Sequence, residues 1–459
     1  MTNAVRIMYQ DDATIQKNDA VKRFVANQPG DHCSLFFGDA HYVVIKKIAN
    51  PSLEKIRNLA GNISRNVSAS KVGIAKLEEA SLTALFPSSE KGDLLTAFVE
   101  GWELGAYQFT RYQSDITPFQ TELELSGEGV EPFVATGKIR AEAVTFSRDL
   151  MNEVPNVLHP EAFPEVLKLH FKETDVEVDV WDEGKIRQAE MNGVLTVCRG
   201  SKYQPRFVEL IYQGDASKPL VALVGKGVTF DTGGISLKSG KDISDMRMDM
   251  GGAAAVAGAM SLLAKSKARV NVVALIPIVE NMPDNQSVLP GEVIHYKNGL
   301  TVQVGNTDAE GRLILADGLI RAGERQAEYI VDIATLTGAI VNALGTEIGG
   351  VFGDEELSAT MKRIGDRNGD FIWPMPLIES YDQSLSSDYA DMNNISSMSE
   401  AGSITAALFL RRFVPDGAKW LHVDMAGVMD KSKASGYYTK SATGYGARLL
   451  ADYTAELSK

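Results

Sequence analysis

The stretch NTDAEGRL at 306–313 sets Asp308, Glu310 and Arg312 two residues apart, just ahead of the apolar run LILADGLI. Two carboxylates and a guanidinium at this spacing would face one site from an extended segment, because alternate residues of a strand share a side. A helix beginning near Gly311 would instead put Arg312 in its first turn, where an acidic helix start beside a salt-bridged arginine is the plainer account. Upstream, LVALVGKGVTFDTGG (220–234) carries Lys226 inside an apolar run and Asp231 directly after it. Both could be ordinary strand-end and turn residues. A lysine within a buried run, however, needs a partner or gives up its proton, and a neutral amine can ligate a metal. SLKSGKDISDMRMDMGGAAA (236–255) adds Lys238, Asp245 and Asp249, the last placed where an N-cap of the following small-residue helix would sit.

Taken together, four carboxylates (Asp231, Asp249, Asp308 and Glu310) and two lysines (Lys226 and Lys238) fall at strand ends or helix starts of one expected sheet. Carboxylates gathered into one site repel and call for cations, which divalent metals supply. Two such ions about 3.5–4 Å apart, bridged by carboxylate, are the common hydrolytic arrangement. The HExxH, GxSxG and GxxxxGK[ST] signatures are missing, and the six histidines (His32, His41, His159, His170, His295, His422) show no metal-ligand spacing. Any metal must therefore be held mostly by oxygen.

The elements that would position these residues read as α/β. VEVDVW (176–181), FVELIY (207–212), LVALVGKGVTF (220–230), VNVVALIPIV (270–279), YIVDIATL (329–336) and WLHVDMAG (420–427) are strands. DMGGAAAVAGAMSLLAK (249–265) and EGRLILADGLIRAGERQ (310–326) are helices. Apolar strands separated by helices imply a mostly parallel sheet covered on both faces, with ligands at the carboxyl ends of the strands. The first 130 residues alternate strand-like HYVVIKKI and VGIAKL with helical stretches at 52–64 and 92–105, and carry no catalytic constellation. The polar, Gly- and Pro-bearing stretch at 116–134 marks a boundary. A connecting helix follows from near Thr136 and is closed by Pro155. The expected organisation is an N-terminal α/β domain at 1–130, a linker helix at 131–154 and a catalytic domain at 155–459.

Composition bounds the partners. With 459 residues, 44% of them hydrophobic and 23% charged, the chain suits a soluble multi-domain protein. Its net charge of −14 weighs against nucleic acid or an anionic membrane as main partner. Two cysteines, Cys33 and Cys198, fit a reducing compartment better than a disulfide framework. The opening MTNAVRIMYQDDATIQ lacks a long apolar stretch, so no signal peptide is expected.

The chain resembles the leucyl aminopeptidase family of cytosolic two-metal exopeptidases. NTDAEGRL is that family's signature, Lys226, Asp231, Lys238, Asp249, Asp308, Glu310 and Arg312 fall in its register, and the likeness runs through IVDIATLTGAI, SITAALFL and SATGYGARLL, over roughly residues 140–459. The resemblance implies a metallopeptidase that removes N-terminal residues, with two ions (Mn or Zn foremost, Mg or Co as others) and a homohexamer in the cytoplasm. By it, Asp231, Asp308 and Glu310 hold the more exchangeable ion, and Lys226, Asp231, Asp249 and Glu310 the tighter one. Arg312 anchors a bicarbonate ion acting as general base, and Lys238 polarises the scissile carbonyl. Met246, Asn306, Ala309, Thr335, Gly338 and Ala442 surround the first side chain of the peptide, an apolar, adaptable surface suited to Leu or Met. Two departures concern substrate preference and loop shape: Leu289 stands where relatives usually carry arginine, and Gly305 replaces a bulkier residue before the signature. A narrow Cys-Gly dipeptidase and a DNA-binding scaffold on the same fold are the alternatives.

Overall fold

A computed structural model describes residues 4–86, 90–240 and 242–459, whose contacts divide into two units. The first comprises the residues up to Thr145 together with Lys431–Ser441. Its sheet is built from β1 (Ala4–Tyr9), β2 (His32–Phe37), β3 (Ala40–Ile45), β4 (Ile74–Glu78) and β5 (Glu122–Ser126), in the order β2-β3-β1-β4-β5. β5 lies inside the stretch expected as a boundary. TELELS alternates with period two, and Leu123 and Leu125 pack against the core of this unit while β5 pairs in parallel with β4. The helices Leu53–Ala69 and Lys91–Gly105 supply the other half of that core, including the fully buried Trp102 and Phe98.

The helix expected from near Thr136 begins earlier, at Glu131, and runs to Asn152, with the division between the units falling inside it. Proline is acceptable in a first helical turn, where its missing N–H would have had no partner, so Pro132 does not delay the start.

The second unit comprises Phe146–Asp430 and Ala442–Lys459. In chain order its strands are β6 (Glu177–Trp181), β7 (Arg206–Gln213), β8 (Leu220–Gly225), β9 (Gly227–Asp231), β10 (Asn271–Asn281), β11 (Val293–His295), β12 (Thr301–Gln303), β13 (Tyr329–Ala334), β14 (Gly349–Gly353), β15 (Ile372–Pro374), β16 (Met392–Asn393) and β17 (Lys419–Asp424). Among the described residues the main sheet follows the order β15-β14-β17-β13-β8-β10-β7-β6, with β9 also paired to β10. Its centre is parallel: β8 pairs with β10 and β13, and β13 with β17. Antiparallel pairs lie towards its margins, β6 with β7, β7 with β10 and β14 with β17. A small sheet of β11, β12 and β16 stands apart.

The run expected as one strand at 220–230 is two. β10 pairs with β8 as far as Leu275 and with β9 from Ile278, and Pro277, which has no N–H to offer, sits at the change of partner. Lys226 falls in the gap. Its N–H donates to Ile333 O (3.1 Å) and its carbonyl accepts from Ala253 N (2.8 Å). The break therefore turns Lys226 out of the ladder without leaving its backbone unpaired.

The helix Gly251–Lys265 is buried from Gly251 to Ala264, so its unbroken run of small and apolar residues is what its position requires. A Cβ on Gly252 would collide with Ile333 O and lie 2.7 Å from Lys226 N, so only glycine lets the helix start settle on β8 and β13. The helix Glu310–Glu324 is likewise buried along most of its length. Among the described residues no helix is long and apolar enough to cross a membrane.

Candidate active site

The predicted residues converge at the carboxyl ends of the parallel strands. Lys226 follows β8, Asp231 ends β9, Thr335 follows β13, and Glu310 and Arg312 open the helix Glu310–Glu324. Asp308, Glu310 and Arg312 do not share the side of an extended segment, because Glu310 already begins the helix. They meet for another reason: Asp308 lies in the loop just outside the helix start, so loop and first turn face the same strand ends.

Lys226 Nζ is buried among carboxylates. It donates to Asp249 Oδ1 (2.7 Å) and to Thr335 O (3.0 Å), and stands 2.9 Å from Glu310 Oε1. Burial alone would pull its proton affinity down, but Asp249 and Glu310 outweigh it and raise it. Asp249 is not the N-cap of the following helix. It closes the 3-10 turn Ser244–Met248, and its Oδ1 also accepts from Thr335 Oγ1 (2.8 Å). Gly311 explains how the lysine reaches this place, since a Cβ there would lie 2.5 Å from Lys226 Cε and 2.8 Å from its Nζ.

A second cluster adjoins the first. Oxygens of Asp231, Asp308 and Glu310 lie within 4.8 Å of one another. Lys238 Nζ is 2.8 Å from Asp231 Oδ2 and forms a short ion pair with Asp308 Oδ1. Asp231 Oδ1 accepts from Gly233 N (2.9 Å) and Asn281 Nδ2 (2.8 Å). Burial first, and then the charge of Asp231, push the Glu310 carboxyl up to about 8 against the pull of Lys226. Burial likewise raises Asp249, to about 6.

Four carboxylates thus face two ammonium groups in a space largely closed to water, and the imbalance suits added cations. Glu310 Oε2 is buried with no hydrogen-bond partner, and Asp249 Oδ2 has none beyond its 2.7 Å approach to Lys226 Nζ. Such orphaned oxygens are costly unless something binds them. The donor set of carboxylate oxygens with one amine suits hard or borderline divalent ions. The residues fit a metal centre on these grounds.

Arg312 is buried beside it. Its Nη1 donates to Asn394 O (2.8 Å), while Nε has no partner. Burial pulls its guanidinium down to about 10, with Glu310 and Asp424 opposing, so it stays charged at neutral pH.

The residues expected around the first side chain of a substrate take varied positions. Met246 is half-buried in the turn Ser244–Met248, and Gly338 is exposed at the start of the helix Gly338–Leu344. Asn306 spends its Oδ1 on Asp308 N (2.8 Å), and Ala309 N closes the same turn onto Asn306 O (3.3 Å). Thr335 is buried with its hydroxyl on Asp249. Ala442 is fully buried, its N–H on Asn152 Oδ1 (3.3 Å).

Two asparagines at the site were not singled out from the sequence. Asn281 donates through Nδ2 both to Asp231 Oδ1 and to Thr307 O (3.0 Å), tying the end of β9 to the signature loop. Its signal is faint: an amide next to Glu280 at the end of a mostly apolar strand. Asn394 holds the other side of that loop, and nothing in MNNIS marks it out.

The description "Cytosol aminopeptidase family, catalytic domain" matches residues 145–451. A probable cytosol aminopeptidase of Rickettsia felis is 38% identical over 436 residues, covering 91% of this chain and 86% of the relative. One of Persephonella marina is 38% identical over 409 residues, covering 87% and 82%. Among solved structures, the bottromycin maturation enzyme BotP in complex with Mn is similar over 100% of both chains, with a TM-score of 0.91 and 30% identity. Joined to a buried, metal-fitting carboxylate cluster at the strand ends, these likenesses establish that the chain belongs to the cytosol (leucyl) aminopeptidase family of metal-dependent peptide hydrolases.

Proposed function

We propose that the chain releases N-terminal residues, with Leu and Met preferred, from peptides that carry a free α-amino group. The observation that carries this reading is the approach of Asp231, Asp308 and Glu310 oxygens to within 4.8 Å, beside a buried Glu310 Oε2 that lacks a partner. Asp231, Asp308 and Glu310 would hold one divalent ion, and Lys226, Asp231, Asp249 and Glu310 the other, with residues 155–459 as the catalytic domain. When bound, such a pair lowers the pKa of water enough to supply hydroxide near neutral pH. Mn is the first ion to try, since a relative of the same fold was solved with it; Zn, Mg and Co follow.

The side chains divide the remaining work. Lys226 would ligate as a neutral amine, and would first have to give up the proton that Asp249 and Glu310 stabilise on it. Lys238 remains charged, because Asp231 and Asp308 overcome the effect of its burial. Its ammonium then faces the oxygen on which charge develops in the transition state. Arg312 fixes a bicarbonate ion through the donors that Asn394 O does not take, a reading supported by its unpartnered buried Nε. Met246, Asn306, Ala309, Thr335, Gly338 and Ala442 form the surroundings of the first side chain. A cytoplasmic homohexamer is the proposed assembly.

The test compares hydrolysis of a leucyl anilide with that of its N-acetylated form, before and after chelation and with Mn restored. Cleavage of the free amine alone, abolished by chelator and recovered with Mn, is expected. Equal cleavage of the acetylated form would remove the amine-to-metal contact, and chelator-resistant cleavage would remove the metal centre.

A further inference from the structure

We infer that Asn394 is the positioning residue of the metal centre, holding the signature loop through its side chain and Arg312 through its main chain. The inference rests on the metal-centre reading above. Asn394 is fully buried. Its Oδ1 accepts from Gly305 N (2.8 Å) and Asn306 N (3.2 Å). Its Nδ2 donates to Asn306 O (2.7 Å) and Ala309 O (3.3 Å). Its own carbonyl accepts from Arg312 Nη1 (2.8 Å), and its N–H donates to Gln303 O (3.0 Å).

A primary amide offers two acceptor sites and two donors, and Asn394 uses all four on the segment 305–309. No other side chain of this size can do so. Aspartate has no donors, serine is too short, and glutamine carries one methylene more. Glycine at position 305 leaves room for the two residues that flank Asn394. A Cβ there would run into Asn393 Oδ1 and lie 3.0 Å from Ile395 Cγ1.

The clamp bears on the site directly. Segment 305–309 ends where the helix with Glu310 begins and contains Asp308, so its backbone path decides where both carboxylates point. The partly buried backbone of this segment needs partners for its N–H and C=O groups, and Asn394 supplies four of them without secondary structure. Because the same residue accepts from Arg312, the carboxylates and the guanidinium are set from one point.

The test uses Asn394→Asp, which keeps the shape and the acceptor but loses both donors, with Asn394→Ser as a smaller second variant. Asn368→Ala serves as control, since Asn368 is a buried amide bonded to Asp452, away from the site. Three quantities are compared with wild type: Mn2+ uptake by chelator-stripped protein in calorimetry, amide exchange of residues 305–309 in the metal-free protein, and kcat against KM. Expected for both Asn394 variants are a Mn2+ affinity lower by about 10–100-fold, faster exchange confined to 305–309, and a fall in kcat with little change in KM. The control should lose stability without any of these changes. Wild-type Mn2+ affinity and exchange in both Asn394 variants, or losses that match the control, would overturn this role alone. If wild type takes up no Mn2+, the metal-centre reading falls and takes the role with it.

Discussion

Lys226 Nζ lies 2.9 Å from Glu310 Oε1, with side-chain exposures of 4% and 3%. One residue comes from a break between strands and the other from the first turn of a helix, and Gly311 leaves the room in which they meet. Loss of the glutamate would leave this lysine paired with Asp249 and bonded to Thr335 O. Glu310→Ala is therefore expected to fold, to retain little metal and to lose activity. Metal content after dialysis and circular dichroism check this, and wild-type turnover would remove Glu310 from the metal set.

Lys238 touches the carboxylates of Asp231 and Asp308 and is partly open to solvent. Lys238→Ala should keep metal uptake while kcat falls by about 100- to 1,000-fold, the usual effect of losing one donor to a developing oxyanion. Metal titration alongside steady-state kinetics separates the two. Unchanged turnover would end the oxyanion assignment.

Thr335 was expected beside the substrate's first side chain, and its hydroxyl lies on Asp249 Oδ1 at 2.8 Å. Thr335→Val keeps the shape and removes that bond. A ligand that loses its supporting hydrogen bond commonly costs about 10–100-fold in metal affinity. The variant should show this loss by calorimetry, with the preference between leucyl and methionyl substrates held. A changed preference at unchanged affinity would instead make Thr335 a pocket residue.

Asp332 and His422 form a buried pair, Oδ1 to Nδ1 2.5 Å, with Trp420 Nε1 on the other carboxylate oxygen at 2.7 Å. Burial pulls the imidazole down, but Asp332 and then Asp424 outweigh both burial and the opposing Arg312, so His422 is raised. A raised histidine contributes stability fully below its unfolded pKa of about 6.5, and loses it as pH climbs through the folded value. The melting-temperature gap between wild type and Asp332→Asn should thus be widest at and below about pH 6 and shrink as the pH climbs past the ordinary histidine range. A gap independent of pH would mean that His422 is uncharged in the fold.

The strands at 270–279, 329–336 and 420–427 and the helices at 249–265 and 310–326 were legible because their periodicity depends on near neighbours along the chain. So was the set of charged residues, since carboxylates and lysines at strand ends are visible as residue types. The break at Lys226 was not legible. It arises where β10 changes partner across Pro277, a choice made by a strand some fifty positions away in the chain. The strand β5 was hidden inside a polar stretch because its two leucines find a core only once β4 lies beside them.

The sequence by itself determined the α/β alternation, the residues able to bind cations and the family signature that orders them, for these are properties of residue type and spacing. Tertiary structure alone decided which of these residues meet. It turned Lys226 onto Asp249 and Glu310, spent the Thr335 hydroxyl on Asp249, and drew Asn281 and Asn394 to either side of the signature loop. Those contacts join positions 23 to 88 residues apart, separations over which local propensity carries no information. They form because a folded interior leaves buried polar groups no water, so each must find whichever partner the sheet order brings near.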